Sequence, residues 1–194
     1  MSGGPWTRRR CGLLGLSAVA GVLAGGLVDV ACAAGAAGAP PAAAGRRTLE
    51  LKNLNTGEVL KVTFDREAGP DAATLAKLQH LLRDYRVNEE HTIDPALYGL
   101  LTDLAEATGH EARYELISGY RSPRTNAKLH SEGHAVAEHS QHMEGRAMDV
   151  RLIGCELTVL RDAALKAARG GVGFYPSSNF VHVETGRVRA WNGR

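Results

Sequence analysis

The chain has 194 residues, and 23 basic against 21 acidic side chains leave a formal net charge of +2 at pH 7. Lys and Arg are scattered rather than clustered, so the charge pattern gives no indication of a nucleic-acid partner. Of the three cysteines, Cys11 and Cys32 lie near the amino terminus, and Cys155 is the one thiol expected in the folded body. This cysteine usage implies no disulfide framework.

An export signal is predicted over residues 1–33. Arg8, Arg9 and Arg10 precede an uncharged run over residues 11–28, and small residues follow it. Basic, then apolar, then small residues is the order of an export signal. The segment TRRRCGLL also resembles a twin-arginine signal, which precedes a mildly apolar run. We therefore predict an exported, periplasmic protein with no membrane span after cleavage.

Two other interpretations of this segment remain open. The uncharged run is nearly long enough for a retained membrane anchor, although the A-x-A-like step at Ala31 and Ala33 favours cleavage. A lipoprotein anchored at Cys32 is disfavoured because Asp29 stands where a lipidation signal has an aliphatic residue.

The segment over residues 34–45, AGAAGAPPAAAG, is predicted to be a linker. It contains only Ala, Gly and Pro, which provide too little side chain for a core. Residues 46–194 then form the folded body. About 150 residues is an ordinary size for one domain with its own hydrophobic core.

The first half of the body is predicted to contain a hairpin and two helices. Residues 48–64 alternate on both sides of a turn at Asn55 to Gly57, which is typical of a β-hairpin. Leucines at helical spacing predict a helix over residues 71–86, with Asp71 as its N-cap. A second helix is predicted over residues 94–109, capped by Asp94.

The second half is predicted to be richer in strands. In chain order we expect a strand over 113–120, a short helix over 122–133 capped by Ser122, a loop leading to a strand over 147–152, a helix over 156–168, and two closing strands over 171–176 and 180–191. The predicted fold class is therefore α+β, a single domain with a mostly antiparallel sheet and helices packed on it.

Three residues stand out as candidate metal ligands. In AMDVRL the apolar residues alternate with polar ones, so a strand would hold Asp149 on its polar face, and His142 would come from the turn before it. In FVHVETG the same alternation puts His182 on a polar strand face. Two imidazoles and one carboxylate from adjacent strands, with a fourth position left for water, is how a catalytic zinc site is built.

Glu184 shares the polar face of its predicted strand with His182. The pair is typical of a ligand with a base or a supporting carboxylate. Taken alone, the same pair is more often a polar strand face in water. The combination with His142 and Asp149 shifts the balance towards a metal site, because no other cluster of His, Asp, Glu and Cys in the chain competes with it.

A second polar patch precedes the candidate metal site. The segment SGYRSPRTN places Tyr120 and Arg121 where a strand ends and a helix begins. The planar guanidinium of Arg121 could hold a substrate carboxylate or a developing oxyanion, but a structural arginine paired with a core carboxylate fits the sequence equally well. Ser118 and Ser140 complete the set of candidate substrate-binding residues.

Three segments carry a resemblance to a known family: SGYRSPRTN, VAEHSQHMEGRAMDVRL and GGVGFYPSSNFVHVETGRVRAW. They resemble the D-alanyl-D-alanine-type zinc peptidases, which share a fold with lysostaphin-like enzymes and the hedgehog signalling domain. The nearest group is the YcbK-like murein endopeptidases. The likeness covers the body from about Thr48 onwards, and the zinc-site signature S-x-H-x-x-G-x-A-x-D is matched by SQHMEGRAMD.

The resemblance implies one Zn²⁺ per chain, held by His142, Asp149 and His182, with Arg121 touching substrate. The implied reaction is hydrolysis of peptide crosslinks in bacterial peptidoglycan, with its peptide stems as partner. The general base is either Glu184 or His139. Many relatives carry an acid three residues before the last ligand, where this chain has Asn179, and YcbK-like members usually have Asp where it has Glu184.

Asn179 keeps a rival interpretation open. A zinc-containing module that binds peptidoglycan or a partner protein without hydrolysis needs no base, and a fold alone does not decide function. A carboxypeptidase that removes single D-alanines is a third possibility within the same family.

Overall fold

The structure is a computed structural model that describes residues 45–133 and 137–193. The described residues form β1 (Arg46–Asn53), β2 (Val59–Asp65), α1 (Ala72–Leu81), α2 (Ala96–Ala107), β3 (Arg113–Ser118), α3 (Pro123–Ser131), β4 (Ala147–Leu152), α4 (Leu157–Ala167), β5 (Gly171–Tyr175), β6 (Phe180–Glu184) and β7 (Arg189–Asn192). The predicted export signal, all of the linker except its last glycine, and His134 lie outside the described residues.

The strands form one sheet in the order β2-β1-β3-β4-β6-β5-β7. Four of its six pairings are antiparallel, and only β1 with β3 and β5 with β7 are parallel. The prediction of an α+β fold with a mostly antiparallel sheet is confirmed.

The three predicted cap residues, Asp71, Asp94 and Ser122, each accept a backbone N–H at a helix start. The Asp71 carboxylate accepts from the N–H of Thr74 at 2.8 Å, and the Ser122 hydroxyl accepts from the N–H of Thr125 at 3.2 Å. Such a bond satisfies one of the backbone donors left free at a helix start. At α2 the Asp94 carboxylate accepts from the N–H of Ala96 at 3.0 Å, and the cap position itself is one residue later than predicted, at Pro95.

Helix α1 is shorter than predicted, ending at Leu81 rather than at residue 86. The reason is tertiary. The buried Asp84 carboxylate accepts from both the backbone N–H (3.0 Å) and the hydroxyl (2.8 Å) of Ser122. These bonds hold the chain in turns after the helix, and they tie it to the segment that leads into α3.

The predicted last strand over residues 180–191 was wrong in one respect, because it is two strands. The chain bends over residues 185–188, and β7 returns to pair with β5 instead of continuing β6. Thr185 anchors the bend: its N–H donates to the carbonyl of Arg146 (3.0 Å), and its hydroxyl donates to Asp94 (2.6 Å). Period-2 alternation on both sides of the bend concealed it.

One face of the central strands forms the core. Met148 and Val150 of β4 and Val181 and Val183 of β6 are buried, and both strands contact α4. Burial of side chains of this size contributes about 1.5–3 kcal/mol each. Because side chains alternate along a strand, Asp149 and His182 project from the opposite face. Among the helices over residues 45–133 and 137–193, none combines the length and apolar character of a membrane span.

Candidate metal centre

Strand pairing places five positions in one row across the sheet. Ser118 of β3 lies opposite Asp149 of β4, and Asp149 lies opposite His182 of β6. His182 lies opposite Gly173 of β5, and Gly173 lies opposite Trp191 of β7. Directly opposed residues share a face of the sheet. The candidate ligands Asp149 and His182 therefore project side by side, as their strand patterns predicted.

His142 reaches the same place from the turn before β4. The Ser140 hydroxyl accepts from its backbone N–H (3.3 Å), and its carbonyl accepts from the N–H of Arg121 (3.2 Å). Gly145 closes the turn with a φ of +63°, and a Cβ at this position would lie 2.1 Å from the Thr92 carbonyl oxygen. Glycine is therefore required here for its φ and for its lack of a side chain.

The three candidate ligands converge as a buried triangle. His142 Nε2 lies 3.2 Å from His182 Nδ1. Asp149 Oδ1 lies 2.8 Å from His182 Nδ1, and Asp149 Oδ2 lies 3.3 Å from His142 Nε2. Among the described residues, this is the one group of three or more His, Cys, Asp or Glu side chains with metal-binding proximity.

The hydrogen bonds of the two imidazoles assign their ring nitrogens. His142 Nδ1 lies 2.7 Å from the Gly119 carbonyl oxygen. A carbonyl can only accept, so Nδ1 carries the hydrogen and Nε2 presents its lone pair to the triangle. His182 Nε2 lies 3.1 Å from Glu184 Oε2. Donation to this carboxylate leaves Nδ1 of His182 directed at Asp149 and His142. Both rings are thus oriented by an acceptor outside the triangle.

The electrostatics of the triangle suit a cation. Burial alone would raise the pKa of Asp149, but both neighbouring imidazoles outweigh it and hold that pKa well below its usual range. Burial lowers the pKa of His142. Burial also opposes charge on His182, yet hydrogen bonds to Asp149 and Glu184 raise its pKa to about 9. Metal binding needs a neutral imidazole, so it would be coupled to the loss of the His182 proton.

The geometry fits zinc. Tetrahedral coordination with bonds of about 2.0–2.2 Å separates neighbouring ligand atoms by about 3.3 Å, close to the distances from His142 Nε2 to His182 Nδ1 (3.2 Å) and to Asp149 Oδ2 (3.3 Å). Two neutral imidazole nitrogens and one carboxylate oxygen match the donor set of catalytic zinc sites, which leave one position for water or substrate.

Glu184, one of the two candidate bases, is nearly inaccessible, with 2% of its surface exposed. Besides His182, it contacts Arg189, whose Nε donates to Oε1 (2.9 Å) and whose Nη2 donates to Oε2 (3.0 Å). Burial opposes ionisation, but the bonds from His182 and Arg189 lower the pKa of Glu184 to about 2. Both carboxylate oxygens are therefore occupied by donors.

Arg121 lies beside the triangle and is 9% exposed. Its side-chain contacts are long: 3.4 Å from Nη1 to Asn126, 3.5 Å from Nη2 to Ser118, and 4.0 Å from Nη2 to Asp149. Its Nε, also buried, has no hydrogen-bond partner. A guanidinium held this loosely keeps donors for a further acceptor.

The other predicted site residues take different positions. Tyr120 is buried, donates its hydroxyl to Glu89 (2.8 Å) and stacks on His91 with ring centroids 4.6 Å apart. It supports the segment before Arg121. His139, the alternative base, is exposed in the loop that leads to His142. Ser118 and Ser140 are half-buried beside Arg121 and His142 respectively.

Sequence reasoning missed three contributors: the Gly119 carbonyl, Arg189 and Trp191. The last two lie two residues apart on β7, and two glycines, Gly171 and Gly173, lie two apart on β5. That spacing was visible in GVGFY and RVRAW. Its meaning depends on the pairing of β5 with β7, which no local pattern shows.

Comparison with known proteins identifies the family. Residues 41–191 match a family model described as "Peptidoglycan L,D-endopeptidase MepK". The chain is 46% identical over 145 residues to peptidoglycan L,D-endopeptidase MepK of Escherichia coli (strain K12), covering 75% of this chain and 80% of that protein. It is 42% identical over 148 residues to the probable peptidoglycan L,D-endopeptidase MepK of Haemophilus influenzae, covering 76% and 80% respectively.

These matches confirm the predicted likeness to murein endopeptidases and the classification of the chain as a peptidase. The family model spans the hairpin, the helices and all three candidate ligands. The chain belongs to the family described as peptidoglycan L,D-endopeptidase MepK.

Proposed function

We propose that this protein is a zinc-dependent endopeptidase that hydrolyses L,D peptide crosslinks of peptidoglycan and so takes part in cell-wall remodelling. The observation that carries the proposal is the buried triangle of His142, Asp149 and His182, whose ring nitrogens are already oriented for a cation. The names of the relatives in the same family support the substrate.

The three residues of the triangle would hold one zinc ion per chain through Nε2 of His142, the Asp149 carboxylate and Nδ1 of His182. When bound, zinc supplies a Lewis acid that activates water near neutral pH and polarises a carbonyl. Gly119 and Glu184 accept the outer ring N–H groups, so neither imidazole has to reorient when the cation binds.

Arg121 is the proposed substrate contact. Its loose hydrogen bonds and unpartnered Nε leave donors for a peptide carboxylate or for the oxyanion that develops on the scissile carbonyl. Ser118 and Ser140 border the same region. Arg121 also forms a long ion pair with Asp149, 4.0 Å from Nη2 to Oδ2.

The contacts favour His139 over Glu184 as the general base. Glu184 accepts from the ring edge of His182 that faces away from the triangle, and Arg189 occupies both of its oxygens. We assign it to orienting His182. His139 is exposed, three residues before a ligand, and imidazole is the side chain that most often accepts a proton in general base catalysis.

Muropeptide analysis tests the function. Intact sacculi, purified crosslinked dimers and uncrosslinked pentapeptides are incubated with the protein, with and without a chelator, and His142→Ala serves as the metal-site control. Cleavage of L,D-crosslinked dimers that chelation and His142→Ala both abolish is the expected result. Loss of single D-alanines alone would indicate a carboxypeptidase. Zinc-loaded protein that binds sacculi but cuts nothing would indicate a binding module.

We further propose periplasmic export by the twin-arginine route. The support is the order of residues 8–10 and the Gly/Ala-rich apolar run after them. Replacing the three arginines with lysines keeps the charge and removes the guanidinium pair that this route recognises. The variant should remain in the cytoplasm, and its normal appearance in the periplasm would indicate the general secretory route instead.

A further inference from the structure

We infer that Arg189, on the last strand, is a positioning residue for the metal: it locks Glu184, and through Glu184 it holds His182 with Nδ1 turned to the other ligands. The inference rests on the proposed zinc site and extends it to a residue that touches neither metal nor substrate.

The contacts form a continuous chain. Arg189 makes two parallel hydrogen bonds to the Glu184 carboxylate, Nε to Oε1 at 2.9 Å and Nη2 to Oε2 at 3.0 Å. Oε2 also accepts from His182 Nε2 at 3.1 Å. A bidentate pair between a guanidinium and a carboxylate fixes the plane of the carboxylate as well as its place. The plane of Glu184 in turn sets where the Nε2–H of His182 points.

Glycine in the strand between them makes this contact possible. Strand β5 separates β6 from β7, and Gly171 of β5 lies opposite Arg189. A Cβ at Gly171 would lie 2.4 Å from Glu184 Oε1 and 2.6 Å from its Cδ. Any side chain at that position would displace the carboxylate. The gap therefore lets Arg189 reach across a whole strand to Glu184.

The next row of the sheet repeats the arrangement. Gly173 lies between His182 and Trp191, and a Cβ there would lie 2.7 Å from the indole ring. Trp191 reaches across the gap to His182, with ring centroids 5.2 Å apart. The Arg189 guanidinium lies over the same indole, 4.7 Å from its centroid. Trp191 thus packs against both His182 and Arg189. Its own position is fixed by a hydrogen bond from Nε1 to the Tyr175 hydroxyl (2.9 Å).

The alternative is that Arg189 and Glu184 form an ordinary surface ion pair, because the Arg189 side chain is 45% exposed. Ion pairs between two exposed side chains contribute only about 0–1 kcal/mol to stability. The partner here is not exposed, because the Glu184 side chain is 2% accessible. Removing Arg189 leaves a buried carboxylate with His182 as its remaining side-chain partner, free to rotate about its last bond. The loss then falls on the orientation of His182 and, through the uncompensated buried charge of Glu184, on overall stability.

The test compares Arg189→Ala and Arg189→Lys with Arg187→Ala, which removes an exposed arginine of the same segment. Zinc affinity is measured by chelator competition, and the geometry of the site by the visible spectrum of the Co²⁺-substituted protein. Arg189→Ala should weaken zinc binding measurably, but by no more than the about 10–100-fold that the loss of a direct partner of a metal ligand costs, and should alter the Co²⁺ spectrum. Arg189→Lys, with one donor group in place of a fork, should fall between it and wild type. Arg187→Ala should match wild type.

Wild-type zinc affinity together with an unchanged Co²⁺ spectrum in Arg189→Ala would overturn the inference. If Arg189→Ala fails to fold, Arg189→Lys decides on the same two measurements, because it keeps the charge. Gly171→Ala approaches the carboxylate from the other side and should also weaken zinc binding. None of these readouts uses peptidoglycan, so a wild-type protein that binds zinc but cuts no crosslink would refute the proposed function and leave this inference standing.

Discussion

Glu184→Gln separates the two roles that Glu184 can have. Glutamine keeps the shape of the side chain and one acceptor oxygen, but it replaces the other oxygen with an NH₂ group. The Glu184 carboxylate accepts three hydrogen bonds from His182 and Arg189, at 2.9, 3.0 and 3.1 Å. In the variant, the NH₂ group must face at least one of those donors, so at least one of the bonds is lost.

The size of the effect follows from that loss. A hydrogen bond to a charged group contributes about 1.5–3 kcal/mol, and about 1.4 kcal/mol corresponds to tenfold in an equilibrium constant. Glu184→Gln should therefore weaken zinc binding by about 10–100-fold, in line with the loss of other partners of metal ligands. At saturating zinc, kcat on L,D-crosslinked dimers should fall by less than about tenfold, because the metal is restored and the base is elsewhere.

His139→Ala should show the opposite pattern. Removing a general base lowers kcat by about 10²–10⁴-fold, and His139 is not among the residues of the triangle, so zinc affinity should stay at the wild-type value. The assay is chelator competition for zinc and steady-state hydrolysis of purified dimers, with both variants measured in parallel. A Glu184→Gln protein that binds zinc as wild type does, yet loses more than about a hundredfold in kcat, would refute this reasoning and make Glu184 the base.

Two further predictions concern stability. Burial alone would raise the pKa of Asp84, but hydrogen bonds from Thr125 and Ser122 outweigh it and lower that pKa, so the charged form stabilises the fold above about pH 4. Asp84→Asn should lower the free energy of unfolding by about 1–3 kcal/mol at pH 7. In denaturant titrations, the difference in unfolding free energy between variant and wild type should become smaller as the pH falls through the lowered folded-state pKa of Asp84. A difference that stays constant into acid would contradict this prediction. Gly145→Ala should lower the unfolding temperature much more than Gly133→Ala does. Both glycines have a positive φ, but only at Gly145 would the new Cβ lie against a backbone oxygen, at 2.1 Å. Equal effects of the two substitutions in thermal melts would show that φ alone matters.

Local patterns in the sequence were sufficient for the framework of the protein. The hairpin, the cap residues Asp71 and Ser122, and the strands that carry Asp149 and His182 follow from alternation and from short-range hydrogen bonding, which involve residues a few positions apart. The spacing in SQHMEGRAMD and the histidine in FVHVETG were enough to indicate the ligands and the family.

Only the tertiary structure decided how those ligands are supported. The end of α1 depends on a bond between Asp84 and Ser122, 38 residues away. The lone pair that His142 presents depends on the carbonyl of Gly119, 23 residues earlier. The role of Glu184 depends on Arg189 reaching across a glycine of another strand. Such contacts leave no periodic trace, because they arise when strand pairing brings distant segments into register, and it is this register that orients the imidazoles.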